Sequence, residues 1–122
     1  MKQVSIHNKS RSTLVGKRIS VADTFLTRLV GLLGRRRLEP GAGLLIQPSS
    51  GVHTFGMLFP IDVVALDRQH RVYAVWPNLR PWRLSGVSWK IASIIELPVG
   101  TIERCDVEHG DQMEIFTNGA DS

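Results

Sequence analysis

The sequence predicts a mainly β domain, a compact β-sandwich or partly closed barrel of about seven or eight short strands with one short helix near residues 24–33. Three observations support this class. Short apolar runs recur from residue 14 to residue 117, and turns rich in Gly, Pro and Asp separate them. Only one stretch has the apolar spacing of a helix. The length of 122 residues suits one domain.

The first elements follow a basic segment. Residues 1–12 are rich in Lys, Arg and Ser and are predicted to form a flexible basic tail. A strand is expected near residues 14–21, and the domain proper is assigned to residues 13–117. Asp23 is a suitable N-cap for the helix, which Gly34 ends. Arg28 lies on the polar side of that helix or at its edge. The helix has apolar residues at helical spacing: Phe25, Leu26, Leu29, Val30 and Leu33.

The centre of the chain is predicted to be β. After a strand at residues 44–47 and a loop, residues 52–59 alternate so that His53 faces inward with the aromatic residues. Pro60 ends that strand. Residues 61–67 are apolar on both faces, as a central strand requires, and residues 71–76 should return antiparallel to them.

The C-terminal third continues the pattern. Residues 77–83 are predicted to be a loop, because their prolines exclude pairing within a central strand. Further strands are expected at residues 89–97, 102–107 and 112–117, and residues 118–122 should be loose. Cys105 then falls within a strand as a small buried apolar residue.

Composition limits the class of protein. The apolar content of 43% and charged content of 21% are ordinary for a globular domain, and no stretch approaches the ~20 apolar residues of a membrane span. The N-terminal residues lack the apolar core of an export signal, so a cytoplasmic location is expected. The one cysteine, Cys105, excludes an internal disulfide and a CxxC motif.

Charge is segregated along the chain. Residues 1–37 carry nine Lys or Arg against Asp23, whereas residues 96–122 carry seven Asp or Glu against Arg104. We expect the two segments to pack together so that their fields mostly cancel. The alternative is a nucleic-acid surface around Arg35, Arg36 and Arg37 with Lys17 and Arg18. No aromatic residues interleave with that triplet, which disfavours nucleic acid.

His53 and Asp62 are the first candidate site residues, because each is polar within an apolar run. A tight hairpin at Pro60 would separate them by roughly 13 Å, whereas a sheet corner would leave their separation open. The structural alternatives are, for His53, a half-buried imidazole bonded to the backbone or to Thr54 and, for Asp62, a carboxylate that binds Arg28 or Arg35 or caps loop amides. Either way, replacing His53 or Asp62 by Ala should lower stability.

Other chemistries find less support around this pair. A metal site would need His53, Asp62 and a third ligand such as His70 or Glu96, but no metal-ligand spacing is present. A serine nucleophile at Ser49 or Ser50 lacks a GxSxG turn. We therefore predict no catalytic motif, no metal and no cofactor.

A second candidate site lies between residues 76 and 83. Trp76 and Trp82 with Arg80 and Arg83 offer flat apolar area beside positive charge, which suits an anionic or saccharide-like ligand or a protein segment. The alternative is that the tryptophans close one end of the core and the arginines are solvated. Met57 is expected to be a core residue, although it is also one of the candidate ligand-binding residues.

Several motifs in order resemble the prokaryotic family called domain of unknown function 192. The resemblance covers about residues 14–117 and includes Gly43-Leu-Leu and Glu96-Leu-Pro-Val-Gly100. It implies a small β-rich domain with no assigned activity, cofactor or partner. The remaining motifs are Arg28-Leu-Val-Gly31-Leu32-Leu-Gly-Arg35, His53-Thr-Phe-Gly-Met57, Pro60-Ile-Asp62 and Gly110-Asp111.

Taken together, the sequence predicts a cytoplasmic binding domain, a monomer or homodimer, whose partner is a small ligand or a protein and not a membrane. The runner-up is an enzyme of unknown reaction with a site where Arg28, Arg35, His53 and Asp62 converge around a pocket. Nucleic-acid binding through the basic N-terminal part is the third alternative.

Overall fold

One curled half-barrel sheet forms the framework of the protein. The computed structural model describes residues 2–24, 32, 35–55 and 57–118. Within that part of the chain the sheet has seven strands in the order β5-β4-β6-β3-β2-β1-β7. The β2–β3 pair is parallel and the other pairs are antiparallel. The elements are β1 Gln3–Asn8, β2 Thr13–Ala22, β3 Ala42–Ile46, β4 Ile61–Leu66, β5 Val72–Leu79, β6 Ser93–Leu97, α1 Thr101–Arg104 and β7 Met113–Thr117.

The predicted mainly β class is therefore confirmed, and the structure takes the barrel form rather than the sandwich form. The two edge strands approach each other at one end, where Arg71 and Gln112 form an isolated bridge. The amide of Val72 also donates to the carbonyl of Asp111 (2.8 Å). The sheet is thus nearly closed at that end.

The two faces of the sheet bury separate apolar clusters. The first lies under α1 and β7 and includes Ile6, Val64 and Leu97. The second includes Leu44, Met57 and Ile94, with Trp76 packed against it. Strand β4 is buried at every residue because it contributes alternate side chains to both clusters.

The prediction of a flexible tail is wrong for residues 3–8, which form β1. Val4, Ile6 and Asn8 alternate inward, and β1 pairs with β2 on one side and with β7 on the other. Burial of this apolar face outweighs the polar composition of the segment.

The basic and acidic segments meet where β1 and β7 lie side by side. Arg11 forms ion pairs with Glu108 and Asp111, and the amide of Asn8 donates to Asp111 (2.9 Å). These bonds lower the pKa of Asp111 against the opposing effect of burial. The basic and acidic segments thus contact each other within one molecule through Arg11.

Two predicted strands are wrong. Residues 52–55 and 57–59 lie in no strand, and among them only His53 makes a bridge. Residues 101–104 form the short helix α1 in place of the start of a strand at 102–107. The strand predicted at 89–97 begins later, at Ser93. The β4–β5 hairpin, β3 and β7 are confirmed, with Val64 opposite Val75 in the hairpin. The loop predicted at residues 77–83 is wrong for residues 77–79, which continue β5 to Leu79. Because β5 is an edge strand, it tolerates Pro77. The helix predicted near residues 24–33 lies almost wholly outside the described residues.

No helix in the described part of the chain is long and apolar enough to cross a membrane.

Candidate functional site

Two loops that leave the sheet form one surface, which we call the loop face: the exposed side chains of residues 50–55, 57–59 and 80–90. The loops pair through an antiparallel bridge between His53 and Leu84. The amide of Thr54 donates to the carbonyl of Arg83 (2.9 Å), and the amide of Ser85 donates to the carbonyl of Val52 (2.9 Å). The two loops are therefore held together by backbone bonds.

Thr54 fixes the turn at residues 80–83. It is fully buried, and its hydroxyl donates to the carbonyl of Arg80 (2.6 Å) and accepts from the amide of Arg83 (2.9 Å). The amide of Trp82 donates to the carbonyl of Thr54 (3.1 Å). Trp82 has a φ of 62°, a left-handed conformation that a bulky residue rarely adopts. The turn wraps around Thr54 and directs the indole of Trp82 to solvent.

Three rings stand in a row on the loop face. The ring centroids of His53 and Phe55 are 5.2 Å apart, and those of Phe55 and Trp82 are 5.8 Å apart and stacked. Nδ1 of His53 accepts from the amide of Phe55 (3.2 Å), which fixes the imidazole at the start of the row. The arrangement presents aromatic area with little freedom left to lose on binding.

The loop face gathers most of the exposed apolar bulk of the described residues. Nine large apolar side chains are exposed among the described residues, and six of them belong to the loop face. The other three are Leu14, Val99 and Phe116. Patches of this kind mark interaction sites. A shallow depression beside the row is lined in part by Val52, Leu84 and Val87. The six are Phe55 (41% exposed), Leu58 (63%), Trp82 (65%), Leu84 (64%), Val87 (74%) and Trp89 (77%).

All the charge on the loop face is positive. Arg80, Arg83 and Lys90 are exposed, and the Lys90 ammonium lies 5.7 Å from the Trp89 ring centroid. The sequence has no Asp or Glu between Glu39 and Asp62, nor between Asp67 and Glu96. The surface is thus apolar and cationic.

Asp62 lies elsewhere, in β4 beneath α1. It is 1% exposed. Its Oδ1 accepts from the amide of Asn78 (2.9 Å), and its Oδ2 accepts from the amides of Gly100 (3.1 Å) and Ile102 (2.9 Å). Of the two roles expected for this carboxylate, capping loop amides is the observed one. Its lone pairs are occupied by the backbone, so it is not open to a substrate.

The four polar residues of the enzyme alternative are not brought together where they can be described. His53 is exposed, which corrects the prediction that it faces inward with the aromatics, while Asp62 is buried in the sheet. Arg35 is exposed, and Arg28 lies outside the described residues. The reason for the correction is that residues 52–55 and 57–59 lie in no strand, so the period of two does not apply.

The remaining candidates divide between core and surface. Met57 is buried in the second cluster, and Trp76 is half-buried against it. Trp76 also packs on Gly86, since a Cβ at that glycine would lie 2.9 Å from the indole. Trp76 therefore packs the second loop of the loop face, residues 80–90, against the core. Trp82, Arg80 and Arg83 are exposed on the loop face.

Sequence reasoning missed Thr54, Leu84, Val87 and Trp89. Two signals in the sequence point to them. The stretch between Asp67 and Glu96 contains apolar and basic residues with no acid, and Thr54 is polar within an apolar run. What could not be read is that the two loops pair, since that depends on a contact about thirty positions apart in sequence.

Metal chemistry also finds no support within the described residues, where no group of three His, Cys, Asp or Glu side chains could hold an ion.

We predict that Thr54→Val lowers the free energy of unfolding by roughly 2 kcal/mol, because it leaves the buried amide and carbonyl groups of the 80–83 turn without partners. Urea unfolding measures this, and amide chemical shifts of residues 80–84 report the loosened turn. Thr13→Val is the matched control, since the Thr13 hydroxyl makes one bond, to the Cys105 carbonyl (3.1 Å), at a less buried place. Equal losses in the two variants would contradict the role given to Thr54.

The fold and these motifs can now be compared with known proteins. The model of the DUF192 family, described as "Uncharacterized ACR", matches residues 5–115. This chain belongs to the DUF192 family. A UPF0127 protein of Pyrococcus abyssi is 36% identical over 118 residues, covering 92% of this chain and 97% of that protein. A UPF0127 protein of Pyrococcus horikoshii is 34% identical over 117 residues, covering 92% and 99%.

Two crystal structures share the fold of this DUF192 chain. A protein of unknown function from Novosphingobium aromaticivorans matches with a TM-score of 0.78 and 19% identity, over 92% of this chain and 83% of that one. A "putative transcription regulator" from Sinorhizobium meliloti matches with a TM-score of 0.78 and 22% identity, over 93% and 92%. At these identities the likeness shows the fold alone. The resemblance drawn from the sequence is confirmed, and no specific function is established for the family.

Proposed function

We propose that this DUF192 domain is a binding module that recognises a protein segment carrying both acidic and apolar side chains, through the loop face. The observation that carries the proposal is the concentration of exposed apolar side chains at a surface whose only charges are positive. An acidic and apolar segment complements both properties.

The aliphatic members of the loop face distinguish this partner from others. Leu58, Leu84 and Val87 are more than 60% exposed and offer no hydrogen bond. A nucleic acid or a saccharide could stack on Phe55 and Trp82 but would leave these aliphatic groups without an apolar partner. A protein segment covers both kinds of side chain.

The rigid presentation of Trp82 favours a partner of fixed shape over a fluid lipid surface. Its turn is anchored on a buried hydroxyl, and its ring is stacked on Phe55. Ordering costs on binding are small when the anchor side chains are already in place. Two loop faces would bring cations against cations, so the partner is a different protein rather than a second copy.

The test is selection of a displayed random library of 12-residue peptides on the domain, with removal of peptides that also bind Trp82→Ser/Leu84→Ser. We expect enrichment of peptides that combine Asp or Glu with aromatic or aliphatic residues. In titrations with the purified peptides, Trp82→Ala and Leu84→Ser should each weaken binding at least tenfold, because exposed anchors of this type dominate interfaces.

The matched control is Phe116→Ser, which removes an exposed apolar side chain (48%) on β7, outside the loop face. It should leave the affinity of the selected peptides unchanged. Library enrichment that is absent, or that lacks acidic residues, would overturn the proposal. Binding to vesicles with anionic headgroups that exceeds peptide binding and fails in Trp82→Ser/Leu84→Ser would assign the face to lipid instead.

A further inference from the structure

Two depressions lie at the start of β2, and none of their lining residues belongs to the loop face. Two adjoining depressions, of about 320 Å³ and about 310 Å³, share Pro40 and Arg104 in their walls. The first is also lined by Leu14 and Lys17, and the second by Val99. We call this pair of depressions the β2 groove.

The groove has a fixed frame. The carbonyl of Gly41 accepts from the amides of Lys17 (3.0 Å) and Arg18 (2.9 Å), and the Arg18 guanidinium donates to the carbonyl of Pro40 (3.2 Å). On the other side, the Cys105 thiol contacts the carbonyl of Leu14 (3.4 Å), which seats α1 against β2. The walls are therefore set by the fold rather than by a ligand.

The charges of the groove are uncompensated. Lys17 and Arg104 are exposed and form no ion pair within the described residues. Among the described residues, no carboxylate lines either depression. Glu39, beside Pro40 in the sequence, is paired with Arg37 (2.9 Å), while Glu103 and Asp106 flank Arg104 in sequence without lining the groove.

The groove is also partly apolar. Leu14 is 42% exposed and Val99 is 49% exposed, and they account for two of the three large apolar side chains exposed outside the loop face in the described residues. A Cβ built on Gly100 would meet nothing within 4 Å, so the second depression is open above that residue.

We infer that the β2 groove binds a small organic anion, one whose phosphate or carboxylate group is attached to an apolar body. Lys17 and Arg104 take the anionic group. Leu14, Val99 and the two prolines of the groove, Pro40 and Pro98, contact the apolar body. This inference rests on residues outside the loop face and stands whether or not the loop face binds a peptide.

The experiment is a titration of the full chain with phenyl phosphate, followed by amide chemical shifts. We expect saturable shifts confined to the amides of residues 14–17, 41 and 98–104, and weaker binding of inorganic phosphate at the same amides. Arg104→Gln and Lys17→Gln should each weaken phenyl phosphate binding at least fivefold, and the double variant should lose the shifts. Benzoate distinguishes a carboxylate from a phosphate as the preferred group.

The matched control is Lys9→Gln, which removes the same unit of charge at an exposed position outside both the groove and the loop face and should leave binding at the groove unchanged. An equal loss in Lys9→Gln would show general attraction to a basic protein and overturn the inference. Shifts spread over the basic surface, or a double variant that binds as the parent does, would also overturn it. If inorganic phosphate binds as tightly as phenyl phosphate, the groove does not contact an apolar body, and that part of the inference is wrong.

Discussion

Replacing Asp62 by Ala is expected to lower the free energy of unfolding by roughly 3–5 kcal/mol, the largest loss from any single truncation proposed for this protein. The carboxylate accepts three backbone bonds that join β4 to the end of β5 and to α1. Two of the donors, Asn78 and Gly100, have left-handed φ values of 52° and 98°. Asp62 thus holds the chain where its conformation costs energy.

Thermal and urea unfolding measure the loss, and we expect the melting temperature to fall by about 12–20 °C. Asp62→Asn should be intermediate, since one oxygen is kept while an amide NH₂ replaces an acceptor. Asp67→Ala is the matched control. Its Oδ1 also accepts two backbone amides, from Gln69 and Arg71 (2.9 Å each), but it is half-exposed in a hairpin, so water can replace it at about 1 kcal/mol.

His53→Ala tests the same link between burial and stability at an exposed position, where a small loss is expected. The sequence alone predicted lower stability for loss of either His53 or Asp62, but His53 is exposed and makes one bond to a neighbouring amide. Its loss should therefore change the free energy of unfolding by less than about 1 kcal/mol. Losses of similar size at the two positions would mean that burial does not decide their roles.

The contrast shows what the sequence could and could not supply. Strand β4 was predictable because an apolar run on both faces has one common explanation, a doubly covered strand. The sequence of residues 52–59 alternates as a half-buried strand does, yet Phe55 is exposed and Met57 is buried in the core. Periodicity records which residues are apolar, not whether the protein's own core covers them.

Two further failures have local causes. Helix α1 is four residues long, too short for apolar spacing to distinguish it from a strand. In β1 the alternation of Val4 and Ile6 was present in the sequence, but the surrounding Lys, Gln and Ser residues favoured a tail. Its pairing with β7, more than a hundred positions away, is what orders it. The candidate site could not be predicted for the same reason, since it forms only when two loops distant in sequence pair with each other.

Glu96 provides the second large effect, one that depends on pH. It lies in β6 between Leu44 of β3 and Val63 of β4, and it is 2% exposed. Its Oε2 has no hydrogen-bond partner among the described residues. Burial raises the pKa of this carboxyl to about 7, because the charged form loses its hydration in an apolar cluster.

Because the pKa of Glu96 is higher in the folded chain than in the unfolded chain, stability falls as the pH rises. Near pH 4 the carboxyl is neutral in the folded and the unfolded chain, so its full contribution to stability is present. As the pH rises through 4.5 and then 7, the unfolded chain releases the proton first, and the free energy of unfolding falls by roughly 3 kcal/mol in total. Above about pH 7 the decline levels off.

Glu96→Gln should remove this dependence. The difference in unfolding free energy between the variant and the parent should change by roughly 3 kcal/mol between pH 4 and pH 8, in favour of the variant at high pH. Urea unfolding at several pH values measures it, and the comparison cancels the four histidines, which both proteins share. Glu103→Gln makes the same chemical change at an exposed position of α1 and should give a curve parallel to the parent.

The outcome separates two accounts of a buried acid. If the curves of Glu96→Gln and the parent are parallel, burial does not raise the pKa of the Glu96 carboxyl, and the explanation by desolvation is wrong. If they converge at low pH and diverge above pH 5, the acid is neutral in the folded protein at mildly acidic pH. The second cluster, on which Trp76 and the second loop rest, would then weaken as the pH passes neutrality.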